Sequence, residues 1–327
     1  MKELVVISGK GGTGKTSLLA SFAALAGKAV LADCDVDASD LHLLLAPEIR
    51  RRETFRSGHE AVIRAADCIG CGACLAWCRF DAVLRSDGPG GAAGAACNDC
   101  SDGCSRSCPT KFAELVLAYE ATCGRVAEPG FAIDPSACEG CGVCVDQCPV
   151  HAIDFPERTC GEWFVSDTRH GPLVHARLNP GGENSGRLVG AVREAARTLA
   201  AERGLDRMLT DGPPGIGCAV ISSLTGASKV LIVTEPTLSG SHDMRRVLEL
   251  TRHFAIPASV CVNKWDLNGE MAARIESEAR AAGAEIAGRI RYDRAVTQAQ
   301  LQGLSAIEAG PGPLADDIRT VWGHVAP

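Results

Sequence analysis

Two sets of residues in this 327-residue chain have types and spacings suited to chemistry. Near the start, Gly9, Lys10, Gly11, Gly12, Thr13, Gly14, Lys15 and Thr16 spell GKGGTGKT, with Ser17 next. Glycines let successive backbone N–H groups wrap an anion. A lysine and a hydroxyl residue complete the cradle, Lys15 for the β- and γ-phosphates of a nucleotide and Thr16 for its Mg2+. Such a loop works where it joins a strand to a helix. KELVVIS before it has the pattern of a buried strand, and the small-residue stretch Lys15 to Ala26 after it that of a helix. A ligand-free glycine turn is the plainer alternative, and the flanking pattern disfavours it.

The second set is cysteine. Twelve of the seventeen cysteines fall in three groups of four, the first starting at Cys68 and the last ending at Cys148. Cys68, Cys71, Cys74 and Cys78 have the spacing CxxCxxCxxxC, and Cys138, Cys141, Cys144 and Cys148 repeat it with Pro149 following. Soft, anionic thiolates suit iron, and paired runs of this spacing are those of bacterial ferredoxins with two [4Fe–4S] clusters, where the fourth cysteine of each run ligates the other cluster. The expected sets are therefore crossed: Cys68, Cys71 and Cys74 with Cys148, and Cys138, Cys141 and Cys144 with Cys78. Zinc is the alternative, disfavoured by three cysteines at two-residue gaps occurring twice. Arg79 stands where proline is usual in the first run. Between the runs, Cys97, Cys100, Cys104 and Cys108 have the different spacing CxxCxxxCxxxCP, after GPGGAAGAA. A third cluster, zinc and a labile exposed cluster all stay open there, with Cys123 as a substitute ligand. Cys34, Cys160, Cys218 and Cys261 read as small buried residues.

Strands and helices must hold both sets. After the first strand and helix, AVLAD forms a second strand ending at Asp33, and the pattern changes at Ala66, where Cys and Gly replace the alternation until about Pro156. It resumes with strands at 162–167 and 172–178, a helix from Gly186 to Arg203, a strand at 206–210, then KVLIVTE, PASVCVN and AEIAGRI, separated by helices. Alternating strands and helices predict an α/β fold with a mostly parallel sheet covered on both faces. The cysteine block is an insertion, giving a nucleotide domain in two parts, 1–65 and 158–327, around a cysteine domain at 66–157.

Net charge is −7 and no block of Lys or Arg occurs, which argues against nucleic acid or an anionic membrane as partner. No apolar run approaches the ~20 residues of a membrane span. The odd cysteine count and the start MKELVVISGK, with no signal-peptide pattern, favour a reducing, cytoplasmic location.

Lys10 is an extra lysine in the phosphate loop, and with it the loop resembles the deviant Walker A sequence of the MinD/ParA/Mrp and nitrogenase iron-protein group. The resemblance implies a P-loop ATPase that works as a homodimer, or as a dimer with a related ATPase, in which Lys10 reaches the partner's phosphates. It extends through ADCDVDASDLHLLL, where it implies that Asp35 positions the attacking water and Asp33 supports the magnesium shell; Asp37 and Asp40 are capping or surface residues by comparison. Asp211, ending MLTD, fits the Walker B carboxylate, with Gly212 to Gly217 as switch II, and Asn263 resembles the residue that reads adenine. Asn263, Lys264, Trp265 and Asp266 also spell the NKxD pattern of guanine readers, which the deviant loop outweighs in favour of ATP. Arg291, Tyr292 and Asp293 stand where the group has a PYD segment. Cys218 falls where the nitrogenase iron protein has a cluster ligand, an intersubunit alternative to its core role. The segments LNPGGENSGRLV and TEPTLSGSHDMRR fit as well, so the resemblance, to MinD-superfamily ATPases with an inserted ferredoxin domain, covers nearly the whole chain.

Three functions are compatible with these features. The first is an ATPase whose nucleotide-driven dimer switching is coupled to electron transfer to a redox partner through the clusters. The second is an assembly or carrier ATPase for an iron–sulfur or other metal cofactor, motivated by the irregular Cys97 to Cys108 run. The third is a positioning protein of the MinD/ParA type.

Overall fold

KELVVIS forms the buried central strand of a large sheet in the computed structural model, which describes residues 1–86, 130–180, 182 and 184–327. Cys97, Cys100, Cys104, Cys108, Cys123 and Glu183 lie outside the described residues. The chain divides into two units, Met1–Phe55 with Cys160–Pro327, and Arg56–Thr159.

Among the described residues the sheet contains β1 (Lys2–Ser8), β2 (Val30–Asp33), β3 (Glu48–His59), β8 (Glu157–Thr168), β9 (Gly171–Leu178), β10 (Arg207–Pro214), β11 (Lys229–Thr234), β12 (Ala258–Asn263) and β13 (Glu285–Ile290). Their order is β13-β12-β11-β1-β10-β2-β9-β8-β3. Pairing is parallel from β13 through to β9. β8 then runs antiparallel to β9 as a hairpin, and β3 lies beyond it at the edge.

Alternation along β1 divides the core in two. Leu4 and Val6 join Leu18, Leu19 and Phe22 of α1 (Lys15–Ala26) and Leu314, Ile318 and Val321 of α10 (Pro313–Val325). Val5 and Ile7 join Val220 and Leu224 of α6 (Cys218–Leu224), Met244 and Val247 of α7 (Leu238–His253), and Ala272 and Ile275 of α8 (Gly269–Ala281). On the β2 side, Val30, Ala32 and Val174 pack on Leu188, Val192 and Ala196 of α5 (Ser185–Glu202). A strand buried on both faces favours a continuous apolar run, which is why Leu4 to Ile7 shows no polar alternation. Each fully buried Leu or Val stabilises the unit by about 1.5–3 kcal/mol. Buried Glu3 accepts from Nε and Nη2 of Arg193 at 3.0 and 2.7 Å, from Arg197 at 3.2 Å and from the Thr210 hydroxyl at 2.9 Å. Two further helices, α2 (Leu41–Leu45) and α9 (Ala295–Leu301), border the nucleotide loop.

In the smaller unit, β4 (Val62–Ile63) pairs antiparallel with β7 (Ile153–Asp154), and β5 (Val83–Ser86) with β6 (Gly130–Ile133). Two one-turn helices, α3 (Ala73–Trp77) and α4 (Val143–Asp146), follow the two cysteine loops. The buried core is Ala61, Cys74, Val83, Phe131, Cys148, Ala152 and Ile153, so one cysteine of each run is itself a core residue.

Some elements differ from the sequence expectation. RRETFRSGHE, read as a polar stretch, lies in β3 up to His59, at the sheet edge, where most side chains are exposed. Arg50 there pairs with Glu48 and Asp167. A charged edge strand lacks the apolar alternation that marks a strand but resists pairing with other chains. The strand expected at 206–210 continues to Pro214, so Asp211 lies within it, in register with Asp33 of β2 and Val6 of β1. The smaller unit begins at Arg56, upstream of the compositional change at Ala66. Among the described residues no helix is long and apolar enough to cross a membrane.

Candidate functional site

The phosphate loop turns where β1 ends. Gly12 and Gly14 have φ of +78° and +91°, and a Cβ on Gly14 would stand 2.6 Å from Nδ2 of Asn263, so conformation and space both demand glycine there. At Gly9 the constraint is the approach of α7: a Cβ would meet that of Asp243 at 2.2 Å. Ser8 braces the loop by donating its hydroxyl to the Lys10 carbonyl at 2.6 Å, and Asn263 by donating Nδ2 to the Thr13 carbonyl at 2.8 Å. Gln300 of α9 donates to the Ser17 hydroxyl at 2.7 Å. No acidic residue occupies the first turn of α1, so its N-terminal potential is left for an anion.

A cavity of about 940 Å³ lies over this turn. It is lined by Gly11, Gly12, Gly14, Lys15, Thr16 and Ser17 of the loop and helix start, by Asp35 and Gly217, and by Asn263, Lys264 and Tyr292. Thr16 donates its hydroxyl to Asp211 Oδ2 at 2.7 Å, while Asp211 Oδ1 is buried with no partner. A hydroxyl beside a carboxylate with an unused oxygen is a donor set that fits a hydrated Mg2+. Burial, opposed by the Lys15 ammonium and the Thr16 hydroxyl, pushes the Asp211 carboxyl up to about 7, which a bound cation would reverse.

The acidic residues after β2 take distinct places. Asp35 lies 3.7 Å from the Lys15 ammonium, and burial raises its pKa against that attraction. Asp33 is off the cavity wall; its carboxylate accepts from the Asp35 N–H at 3.1 Å, the Ser39 hydroxyl at 2.8 Å and the Leu41 N–H at 3.3 Å. It shapes the segment that presents Asp35. Burial and then the neighbouring Asp211 drive its pKa well up. Asp37 and Asp40, expected at caps or on the surface, both line the cavity, and Asp40 makes no side-chain cap at the start of α2.

The base end also resolves a sequence ambiguity. Asp266, the acidic member of NKxD, accepts the Tyr292 N–H at 2.7 Å and is not on the cavity wall, so no guanine-reading carboxylate is presented. Arg291 is drawn to Asp317 of α10, at 2.6 and 2.9 Å. Lys10 stands off the wall, its ammonium 3.2 Å from Glu235.

The model of the CobQ/CobB/MinD/ParA nucleotide binding domain matches residues 4–306. The chain belongs to this family. It is a deviant Walker A P-loop ATPase. Two uncharacterized proteins of Methanocaldococcus jannaschii are similar to it, one 29% identical over 81% of this chain and 79% of its own length, the other 23% identical over 82% and 83%. Among solved structures, the fold is similar to the septum site-determining protein MinD of Pyrococcus horikoshii complexed with Mg-ADP, with a TM-score of 0.54, 13% identity and 99% and 96% of the two chains covered. The Cyanothece McdA(D38A)–ATP complex matches with a TM-score of 0.53, 16% identity and the same coverage.

The cysteine unit of this CobQ/CobB/MinD/ParA-family ATPase has an internal repeat. Gly70 and Gly72 in the first run and Gly140 and Gly142 in the second all have left-handed backbone, with φ of 60° to 76°. Each pair turns a cysteine loop into its short helix. Cys68, Cys71, Cys74 and Cys148 line one small pocket with Ile63, Phe131 and Ile153. Cys78, Cys138, Cys141 and Cys144 line another with Trp77, Phe80 and Phe155. The Ala152 N–H donates to the Cys148 sulfur at 3.2 Å. Burial pushes the Cys74 thiol up to about 11 and raises that of Cys144. Among the described residues no three His, Cys, Asp or Glu side chains converge on the site of a single metal ion.

Of the remaining cysteines, Cys34, Cys160 and Cys261 are buried as expected, but Cys218 is exposed and lines the nucleotide cavity. The core role expected for it is therefore corrected: it starts α6, where the chain emerges from β10. Glu235, Gln300 and Tyr292 were not legible as site residues, since their signal is only a turn, an amphipathic helix and a departure from PYD.

Proposed function

We propose that this ATPase acts as a nucleotide-switched dimer whose cysteine unit holds two [4Fe–4S] clusters and passes electrons to a protein partner. The observation that carries the iron–sulfur half is the sorting of eight cysteines onto the walls of two small pockets, four to each, three from one run and one from the other. The donor set fits: four soft thiolates, an apolar wall and a backbone N–H aimed at sulfur are what such a cluster uses to hold its charge. When bound, the clusters supply one-electron redox chemistry. The protein's part is to supply the thiolates and limit water at the sulfurs.

For the nucleotide half, Lys15 and the loop N–H groups bind the phosphates, Thr16 and Asp211 hold Mg2+, Asp35 orients the attacking water, and Asp33 fixes the segment bearing Asp35. Lys10 serves the partner's phosphates, which makes nucleotide binding and dimer closure one event. In chain order the cysteine unit falls between the segment with Asp35 and the strand with Asp211, the two that respond to the γ-phosphate. Coupling follows if closing these segments alters the potential or partner affinity of the clusters.

The test is iron and sulfide quantitation with EPR on anaerobically purified full chain, with and without ATP. About eight irons per chain and a spectrum that changes with ATP are expected; about twelve would assign a third cluster to Cys97, Cys100, Cys104 and Cys108. A chain that stays iron-free after anaerobic reconstitution would remove the redox function.

A positioning ATPase of the MinD/ParA type is the second function, favoured by the cell-division and McdA structures that share the fold. Against it, the apolar face of α10 is spent on the core through Leu314, Ile318, Val321 and Val325. Imaging a tagged chain separates the two, since a positioning protein forms ATP-dependent gradients or foci.

A further inference from the structure

The nucleotide site leaves one buried-edge carboxylate without an assigned task. Glu235, just after β11, is shared by two lysines: its Oε2 is 3.2 Å from the Lys10 ammonium and its Oε1 accepts from the Lys264 ammonium at 2.5 Å. The two lysines come from different segments of the chain. Lys10 is in the loop itself, and Lys264 follows Asn263, in left-handed backbone at φ +57° and on the cavity wall, its ammonium also 3.4 Å from the Gly12 carbonyl. Glu235 is held firmly. Its carbonyl accepts the Thr237 N–H at 2.7 Å and packs so closely on Gly240 that a Cβ there would stand 2.3 Å away. The side-chain environment matches: despite partial burial, the two lysines pull the Glu235 pKa down.

We propose that Glu235 is a positioning residue that parks Lys10 away from the phosphates in the free protomer and releases it when the ATP-bound dimer closes, with Lys264 competing for the same carboxylate. The proposal rests on the role given to Lys10 above. A flexible lysine with no counter-charge would fold back toward the phosphates of its own protomer, because the nearest strong anion attracts it. A carboxylate on a rigid turn prevents this at modest cost, since a partly exposed ion pair is weak enough to break on closure. Lys264 sets that strength: while it holds Oε1, Lys10 has only part of the carboxylate's charge.

The two lysines then have opposite effects on dimerisation. Glu235→Gln frees Lys10, so the dimer formed with a non-hydrolysable ATP analogue at saturation should tighten about three-fold, and the effect should vanish in a Lys10→Ala background. Lys264→Met leaves Glu235 to Lys10 alone and should weaken the dimer by a similar factor. The measurement is the dimer dissociation constant of the full chain by sedimentation, with each variant's thermal unfolding checked. Should Glu235→Gln fail to fold, the opposite shift in Lys264→Met carries the test. If Lys10→Ala loosens the dimer but Glu235→Gln acts equally with and without Lys10, the parking role is overturned and the role of Lys10 stands. If Lys10→Ala leaves the dimer unchanged, the role of Lys10 fails and the parking role with it.

Discussion

The nucleotide unit and the cysteine unit are built on opposite principles. In the first, three extended apolar clusters pack helices on both faces of a mostly parallel sheet, and the site lies at the strand ends. In the second, the strands have two to four residues, the helices one turn, and Cys74 and Cys148 belong to the single small core. A core that small supplies little hydrophobic stabilisation. The comparison teaches that one chain can carry a site held by an extended core beside cysteine loops that are themselves part of a small one.

The sharpest test of that contrast is Lys15→Ala, which removes the phosphate anchor. Hydrolysis should fall by about 10²–10³-fold with iron content unchanged, as measured by phosphate release and iron assay; iron lost alongside activity would break the separation. Next in size is Arg193→Ala. It leaves buried Glu3 with only Arg197, at 3.2 Å, and the Thr210 hydroxyl, and should cost the nucleotide unit about 3 kcal/mol in denaturant unfolding, with iron content unchanged.

Acid should act on the nucleotide unit through His175. Burial, and then neighbouring His42, lower its pKa to about 4, so the unfolded chain takes up a proton near pH 6.5 that the folded chain refuses until about 4. The unfolded state binds more protons across that window. Its contribution is therefore complete above pH 6.5 and is lost as pH falls toward 4, by about 3 kcal/mol in all. His175→Gln should flatten that slope in unfolding measured from pH 4 to 7.

The smallest effect on ATP chemistry is expected from Cys148→Ser, which should weaken or remove the centre at Cys68, Cys71 and Cys74 while leaving the Cys78 centre and ATP turnover in place. Iron near half the parent value and one surviving EPR signal are the expected readout. Loss of the signal from its own run instead would overturn the crossed arrangement.

Legibility in the sequence followed the same division. The phosphate loop was readable because a backbone cradle needs glycine at fixed positions, and at Gly12 and Gly14 the left-handed backbone confirms the physical demand. The cysteine runs were readable because ligand spacing is local. β3 was not, because an exposed edge strand has no buried face to impose a pattern. Nor was the exposure of Cys218, because a lone cysteine carries the same letter in a core and on a cavity wall.

What the sequence determined by itself is therefore short in range: a nucleotide loop with an extra lysine, an α/β alternation around it, and two cysteine runs interrupting it. Tertiary structure decided what joins residues far apart in the chain. It turned Asp266 to the Tyr292 backbone, gave Asp33 to the segment after β2, left one Asp211 oxygen unused, and put Glu235 between Lys10 and Lys264. Spacing fixes which residues can meet within a turn. Only packing of the sheet and its helices fixes which carboxylate meets which cation across 225 residues of separation between Lys10 and Glu235.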